Sequence, residues 1–144
     1  MSDTATMPRQ KQEHQPGRET EMHPRPDYEP KFAGTGRLRD KVALITGGDS
    51  GIGRAVAVAM AREGAKVAIA FLEERKDAEE TCQAIRDEGS RALSLQGDVG
   101  DEEFCEAAVS ATVKEFGRLD ILVNNAAEQH ETKDIREIDA AQIE

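Results

Sequence analysis

From residue 41 onward the chain alternates between two hydrophobic periods. VALIT, Val42–Thr46, is a short apolar run rich in branched side chains, the pattern of a strand buried on both faces. A glycine-rich turn follows. Ile52, Val56, Ala59 and Met60 then recur at helical spacing and predict a helix over 51–63 with this stripe inward, closed by Gly64. KVAIAF, Lys66–Phe71, repeats the strand pattern. Ala78, Cys82 and Ile85 share one face of a predicted helix over Asp77–Glu88, which Gly89 ends. RALSLQ, Arg91–Gln96, alternates apolar and polar, as an edge strand does. Asp101 is placed to cap a helix running to Phe116, with Phe104, Ala108 and Ala111 inward. ILVN, Ile121–Asn124, predicts a fourth strand, and Asp139–Glu144 reads as the start of another helix.

Strands and helices thus alternate through short connections. Right-handed crossovers then require a parallel sheet covered on both faces. A glycine turn after the first strand specifies the doubly wound, dinucleotide-binding type, with strand order 3-2-1-4. Residues 1–40 carry no such pattern. All five prolines lie in the first thirty residues and large apolar side chains are few. Such a segment buries too little surface to offset its ordering entropy, so 1–40 is expected to be a disordered or extended N-terminal extension and 41–144 the folded body.

Charge and cysteine content narrow the function. Residues 1–40 hold seven acidic and seven basic side chains, so the whole net charge of −10 resides on residues 41–144. An acidic body argues against nucleic-acid and anionic-membrane partners. No apolar run approaches the length of a membrane span, and the N-terminus has neither a signal peptide's apolar core nor a transit peptide's basic composition. Cys82 and Cys105 make no disulfide framework, and their helical settings predict buried or half-buried free thiols. These features point to the cytoplasm. His130, in the polar stretch EQHETKD, reads as a solvated side chain, and no His/Cys/Asp grouping has metal-ligand spacing.

The glycine turn is spaced Gly47-x-x-x-Gly51-x-Gly53. Glycines there let the chain turn tightly from strand into helix, and let backbone N–H groups at the helix N-terminus meet a pyrophosphate. A P-loop is the rival reading. Gly48 to Gly53 has its spacing, but Arg54-Ala55 follows, so the phosphate lysine and the Mg²⁺ hydroxyl are both missing. The G-x-G-x-x-G fingerprint is not matched either. A purely structural turn is the remaining alternative.

TGGDSGIG (46–53), GDV (97–99) and NNAA (124–127) resemble, in order and spacing, the TGxxxGxG, D-V and NNAG motifs of the short-chain dehydrogenases/reductases. GRLRDKVALITGGDSGIGRAVA and LVNNAAEQH, after a proline-rich extension, resemble the glucose/ribitol-dehydrogenase-like branch. The resemblance implies a Rossmann-type domain and an NAD(P) cofactor. It implies that Gly47, Ser50, Gly51, Ile52 and Gly53 hold pyrophosphate and ribose, and that Asp98 and the Val99 backbone meet the adenine. Asn125, Ala126 and Ala127 would line the cofactor, while Asn124 would tie strands together. Ala127 stands where the family usually has glycine, implying slight crowding. A carboxylate at Asp98, after a strand at the sheet's carboxyl edge, can accept from an exocyclic amine; capping the next helix is its alternative role.

Phe71 ends the second strand where an aspartate would bind the ribose 2′-hydroxyl, and Glu73 and Glu74 follow it. Their charge and that of Asp49 disfavour a 2′-phosphate, while Arg75 offsets it; between NAD and NADP the balance tips to NAD, and a solvated charge cluster opening the helix over 77–88 is the alternative reading of these residues. The family's reaction, hydride transfer between nicotinamide and an alcohol or carbonyl, uses a Y-x-x-x-K pair. Tyr28, the only tyrosine, has Lys31 at the wrong spacing with Pro30 between. The chain is therefore expected to be the N-terminal part of such an enzyme, with the sheet truncated after its fourth strand. It would hold the cofactor-binding half and no catalytic residues. A non-catalytic nucleotide-binding module and a non-functional remnant are the alternatives. Full-length relatives are expected to be homo-oligomers, and this segment a monomer or non-specifically associated.

Overall fold

The second strand predicted by the sequence is the most deeply covered element of the sheet, because helices pack on both of its faces. A computed structural model describes residues 22–24, 26–29, 31–127, 134 and 136. The expectations for residues 1–21, for His130 and for a helix at 139–144 fall outside them. The elements run β1 (Val42–Thr46), α1 (Gly51–Arg62), β2 (Lys66–Phe71), α2 (Arg75–Asp87), β3 (Ala92–Gln96), α3 (Glu102–Phe116) and β4 (Ile121–Val123). The four strands form one sheet in the order β3-β2-β1-β4. Every pairing is parallel: Ile45 sits beside Ile69 on one side and Val123 on the other, and Ile69 beside Ser94. Successive strand residues point to opposite faces. Val67, Ile69 and Phe71 join Ile45 under α1 and α2, with Ala57, Ala61, Cys82 and Ile85. Ala68 and Ala70 join Val42 and Leu44 under α3, with Phe116.

The sequence pattern identified each element and misplaced some faces. On α1 the inward stripe is Gly53, Ala57 and Ala61 together with Val58, not Ile52 and Ala59. Small residues four apart let the helix lie close on the sheet; Val56 and Met60 pack at the margin of the core. Ile52 is 77% exposed. The α2 face of Ala78, Cys82 and Ile85 is buried as read. Cys105 is exposed, unlike Cys82, because it lies on the outer side of α3. Asp101 caps α3 by accepting from the Glu103 N–H at 3.0 Å. Gly64, with φ +97°, closes α1: its N–H reaches the Ala61 carbonyl and that of Ala65 the Met60 carbonyl, a Schellman ending. Leu122 on β4 and Val109 and Val113 on α3 are exposed apolar side chains.

The segment before β1 is anchored over part of its length. Leu38 packs against the core, and its N–H donates to the Glu63 carbonyl at 2.9 Å. The Glu63 carboxylate accepts from the backbone N–H groups of Thr35 and Arg37, from the Thr35 hydroxyl and from the Arg37 guanidinium. Thr35, Arg37 and Leu38 thus find in the carboxylate and carbonyl of Glu63 the bonds that their own composition cannot supply.

The Arg37 bonds, with those from Thr35, hold the Glu63 carboxyl down from its ordinary 4.5 to about 2. A folded-state pKa below the unfolded one stabilises at pH above the unfolded value, and that contribution is lost as pH falls through the folded value. Glu63→Gln is therefore expected to melt below wild type at pH 7, with the gap closing between about pH 4.5 and pH 2 in thermal melts followed by circular dichroism. A gap that stays constant to pH 2 would contradict the anchoring.

Candidate functional site

Parallel strands leave their carboxyl ends on one edge of the sheet, and the crevice there is widest where neighbouring strands send their connections to opposite faces. β1 is that strand: its turn leads to α1 on one face, while β4 beside it follows α3 from the other. A cleft of about 580 Å³ opens there. Gly47, Asp49, Ser50, Gly51 and Ile52 line it from the β1–α1 turn, Glu73 from the β2–α2 turn, Asp98 and Val99 from the β3–α3 turn, and Asn125, Ala126 and Ala127 from the segment after β4. Of the residues the sequence nominated, Gly53 alone is absent from the lining. A Cβ on it would lie 1.9 Å from the Gly47 carbonyl oxygen and 2.7 Å from Asn125 Nδ2. Its place is behind the turn, where only glycine lets α1 approach the backbone of β1. Gly51 is the opposite case: its φ is +51° and nothing lies within 4 Å of the position of a Cβ.

Ala70, Phe71, Leu72, Glu74 and Gly97 also line the cleft. Each ends a strand or follows one, a position the strand boundaries already marked. Asn124 does not tie the strands. It is exposed, whereas Asn125 turns the other way, its Nδ2 donating to the carbonyls of Thr46 and Gly47 at 3.0 and 2.9 Å. The two residues directly follow β4, where neighbouring side chains of the continuing chain point to opposite sides, and only Asn125 reaches β1. Asp98 Oδ1 accepts from the Gly100 N–H at 2.8 Å, which fixes the β3–α3 turn. One such bond leaves a carboxylate with further acceptor sites. Arg75 Nη2 is held by Gln96 Oε1 at 2.8 Å.

The least anticipated feature is Arg54, which the sequence marks only as the residue standing where a P-loop would have its lysine. It is 2% exposed. Its Nε donates to Thr81 Oγ1 at 2.8 Å, and Nη2 donates to the carbonyls of Asp49 at 2.9 Å and Asp77 at 3.1 Å. Thr81 Oγ1 donates to the same Asp49 carbonyl at 2.7 Å. Asp49 thus serves first through its backbone. Burial pushes its carboxyl above the ordinary range, while its own N–H, Ser50 and the Arg54 charge oppose the rise and Glu74 adds to it. No periodicity marks a buried arginine on a helix face. The glycines before it and Thr81 four residues beyond Asp77 were the available signals. Among the described residues no group of His, Cys, Asp and Glu could hold a metal ion, and no helix is long and apolar enough to cross a membrane.

A parallel sheet of this order, with a glycine turn feeding a helix N-terminus at the crevice, defines the doubly wound dinucleotide-binding class. Residues 41–144 match the family model for short chain dehydrogenase, and the chain belongs to that family. It is 56% identical over 138 residues to general stress protein 39 of Bacillus subtilis, covering 95% of this chain and 48% of that one. It is 41% identical over 151 residues to glucose and ribitol dehydrogenase of Daucus carota, covering 100% and 52%. The chain thus spans about half the length of these curated relatives. Among solved structures it is similar to carveol dehydrogenase from Mycobacterium avium in complex with NAD, with TM-score 0.69, 34% identity, and 75% and 43% of the two chains covered. It is also similar to a short chain dehydrogenase from Burkholderia cenocepacia in complex with NADP, with TM-score 0.67, 37% identity, and 74% and 43% covered. Structural relatives therefore bind NAD or NADP.

The two glycines should separate in a stability measurement. Gly53→Ala forces a methyl into a carbonyl and is expected to cost about 2–3 kcal/mol. Gly51→Ala meets open space and suffers backbone strain alone, about 1 kcal/mol. Urea midpoints at constant m-value read both. Equal costs, or the reverse order, would contradict the close approach of α1 to the Gly47 carbonyl.

Proposed function

We propose that this chain supplies the cofactor-binding part of an NAD(P)-dependent oxidoreductase that transfers hydride between a nicotinamide and an alcohol or carbonyl, with a sugar or polyol as substrate. The observation that carries the reading is the open space over Gly51. The turn, the α1 N-terminus and the strand ends converge on a cleft in which a Cβ at that position would meet nothing. A pyrophosphate fits that donor set, because it needs bare backbone N–H groups and the positive end of a helix. Ser50 suits the same role: it occupies the N-cap of α1 without capping the helix through its side chain.

In this reading Gly47, Ser50, Gly51 and Ile52 hold pyrophosphate and ribose, and Gly53 keeps the helix close enough for them to do so. Asp98 and the Val99 backbone hold the adenine, and Asn125, Ala126 and Ala127 wall the cleft. When bound, the cofactor supplies the hydride donor or acceptor. NAD is the cofactor we favour. Glu73 and Glu74 both face the cleft, while Arg75, the nearest cation in sequence, is held by Gln96. A 2′-phosphate would meet two carboxylates. Tyr28 stands apart from this chemistry: it lines a second, separate cleft between α1 and α2. The same arrangement supports nucleotide binding without turnover as the reading for residues 1–144 on their own.

Calorimetry with ADP-ribose, NAD and NADP tests the assignment. ADP-ribose and NAD are expected to bind within about threefold of one another, and NADP about tenfold weaker, a step of roughly 1.4 kcal/mol. With NAD and glucose, ribitol or an aldehyde, no change in NADH absorbance is expected from this chain. NAD binding far tighter than ADP-ribose, NADP binding as tight as NAD, or turnover abolished by Gly51→Glu would each contradict part of the reading.

A further inference from the structure

One buried cation, Arg54, and one aromatic side chain, Tyr28, lie outside the cleft lining and touch. Tyr28 places its ring over the Arg54 guanidinium at 5.1 Å from ring centroid to Cζ. We propose that Tyr28 and residues 31–38 form a strap along α1, and that Tyr28 holds Arg54 where it clamps the dinucleotide turn. Tyr28 and Arg54 would thus be positioning residues for the cofactor. The proposal rests on the dinucleotide reading of the cleft.

The strap is tied to α1 at successive points. At the helix C-terminus Leu38 donates to the Glu63 carbonyl at 2.9 Å, and Thr35 and Arg37 engage the Glu63 carboxylate. Gly34 lies so close that a Cβ would sit 2.0 Å from the Arg62 carbonyl oxygen. Arg62 Nη1 donates to the Phe32 carbonyl at 2.6 Å. At the other end Tyr28 reaches Arg54. Eight helical residues separate Arg62, which meets Phe32, from Arg54, which meets Tyr28, about 12 Å of helix rise. The strap therefore runs antiparallel to α1 and delivers its ring to the first turn of the helix.

Arg54 passes this contact on. Nε and Nη2 both donate to the Asp49 carbonyl, at 3.1 and 2.9 Å, and Thr81 Oγ1 donates to it at 2.7 Å. Glu80 lies 3.8 Å from Nη1 and balances the charge. The guanidinium thereby fixes the peptide between Asp49 and Ser50 against α2, immediately before the N–H groups assigned to the pyrophosphate. A ring over its face keeps that plane in place and shields it from water, and a cation–π contact needs the ring and not the hydroxyl.

The test compares the whole chain with its Tyr28→Phe and Tyr28→Leu variants in two measurements. One is ADP-ribose affinity by calorimetry. The other is hydrogen exchange at the amides of Gly48 and Arg54, which bond to Ala70 and Ser50 at either end of the turn. Tyr28→Phe is expected to match wild type in both. Tyr28→Leu is expected to weaken ADP-ribose roughly three- to tenfold and to speed exchange at those amides, with the circular dichroism of the folded state unchanged. Wild-type behaviour of Tyr28→Leu, or a defect in Tyr28→Phe as large as in Tyr28→Leu, would overturn the proposal. Faster exchange in Tyr28→Leu in a chain that binds no ADP-ribose would support the strap's hold on the turn and overturn the dinucleotide reading instead.

Discussion

The constraint on which the site depends is the crossing of three backbones at Gly47. Asn125 Nδ2 donates to the carbonyls of Thr46 and Gly47, while Thr46 Oγ1 accepts from the N–H groups of Asn125 and Ala126, each at 3.0 Å. These bonds continue the β1–β4 pairing beyond the last ladder residues, where the two chains would otherwise part. Gly53 leaves α1 free to close on the same point. Buried backbone carbonyls left without donors cost free energy comparable to a lost hydrogen bond, so this side-chain amide completes the edge of the sheet. The cleft follows from it: one wall is the turn that Gly53 admits, the other is the segment that Asn125 holds.

Two faces of the sheet are covered by different means. Under α1 and α2 the strands present Ile45, Val67, Ile69 and Phe71, and small helix residues meet them. Under α3, β2 presents only Ala68 and Ala70 beside Val42 and Leu44 of β1, and Phe104 and Phe116 fill the space from the helix and its end. The alternation in KVAIAF already contains this division, because period two sends its large and small residues to opposite sides. Strand order was legible for a similar reason: short connections and one chirality leave few topologies, and the glycine turn marks the strand at which the winding reverses.

The parts that the sequence did not disclose are those in which a residue type acts against its usual setting. Ile52 is apolar yet exposed at the cleft mouth, and Arg54 is charged yet buried, so a hydrophobic stripe rotates the wrong face of α1 inward. Asn124 and Asn125 are identical side chains, and only the strand's pleat decides which one reaches β1. The segment before β1 has the composition of an unstructured tail, but Glu63 supplies from the helix end the acceptors that Thr35 and Arg37 require. In each case the deciding partner is far away in sequence, beyond the reach of periodicity or spacing.

In the proposed reading the β1–α1 turn, the β3–α3 turn and the segment after β4 form one dinucleotide site. Titrating ADP-ribose into the ¹⁵N-labelled chain and following its amide resonances tests it most directly. Shifts are expected to concentrate at Gly47–Gly53, Asp98–Val99 and Asn125–Ala127, together with the Glu73 loop, with little change on the far ends of α1 and α2. Shifts centred on the cleft beside Tyr28 and Glu88, or an unchanged spectrum at saturating ligand, would contradict it.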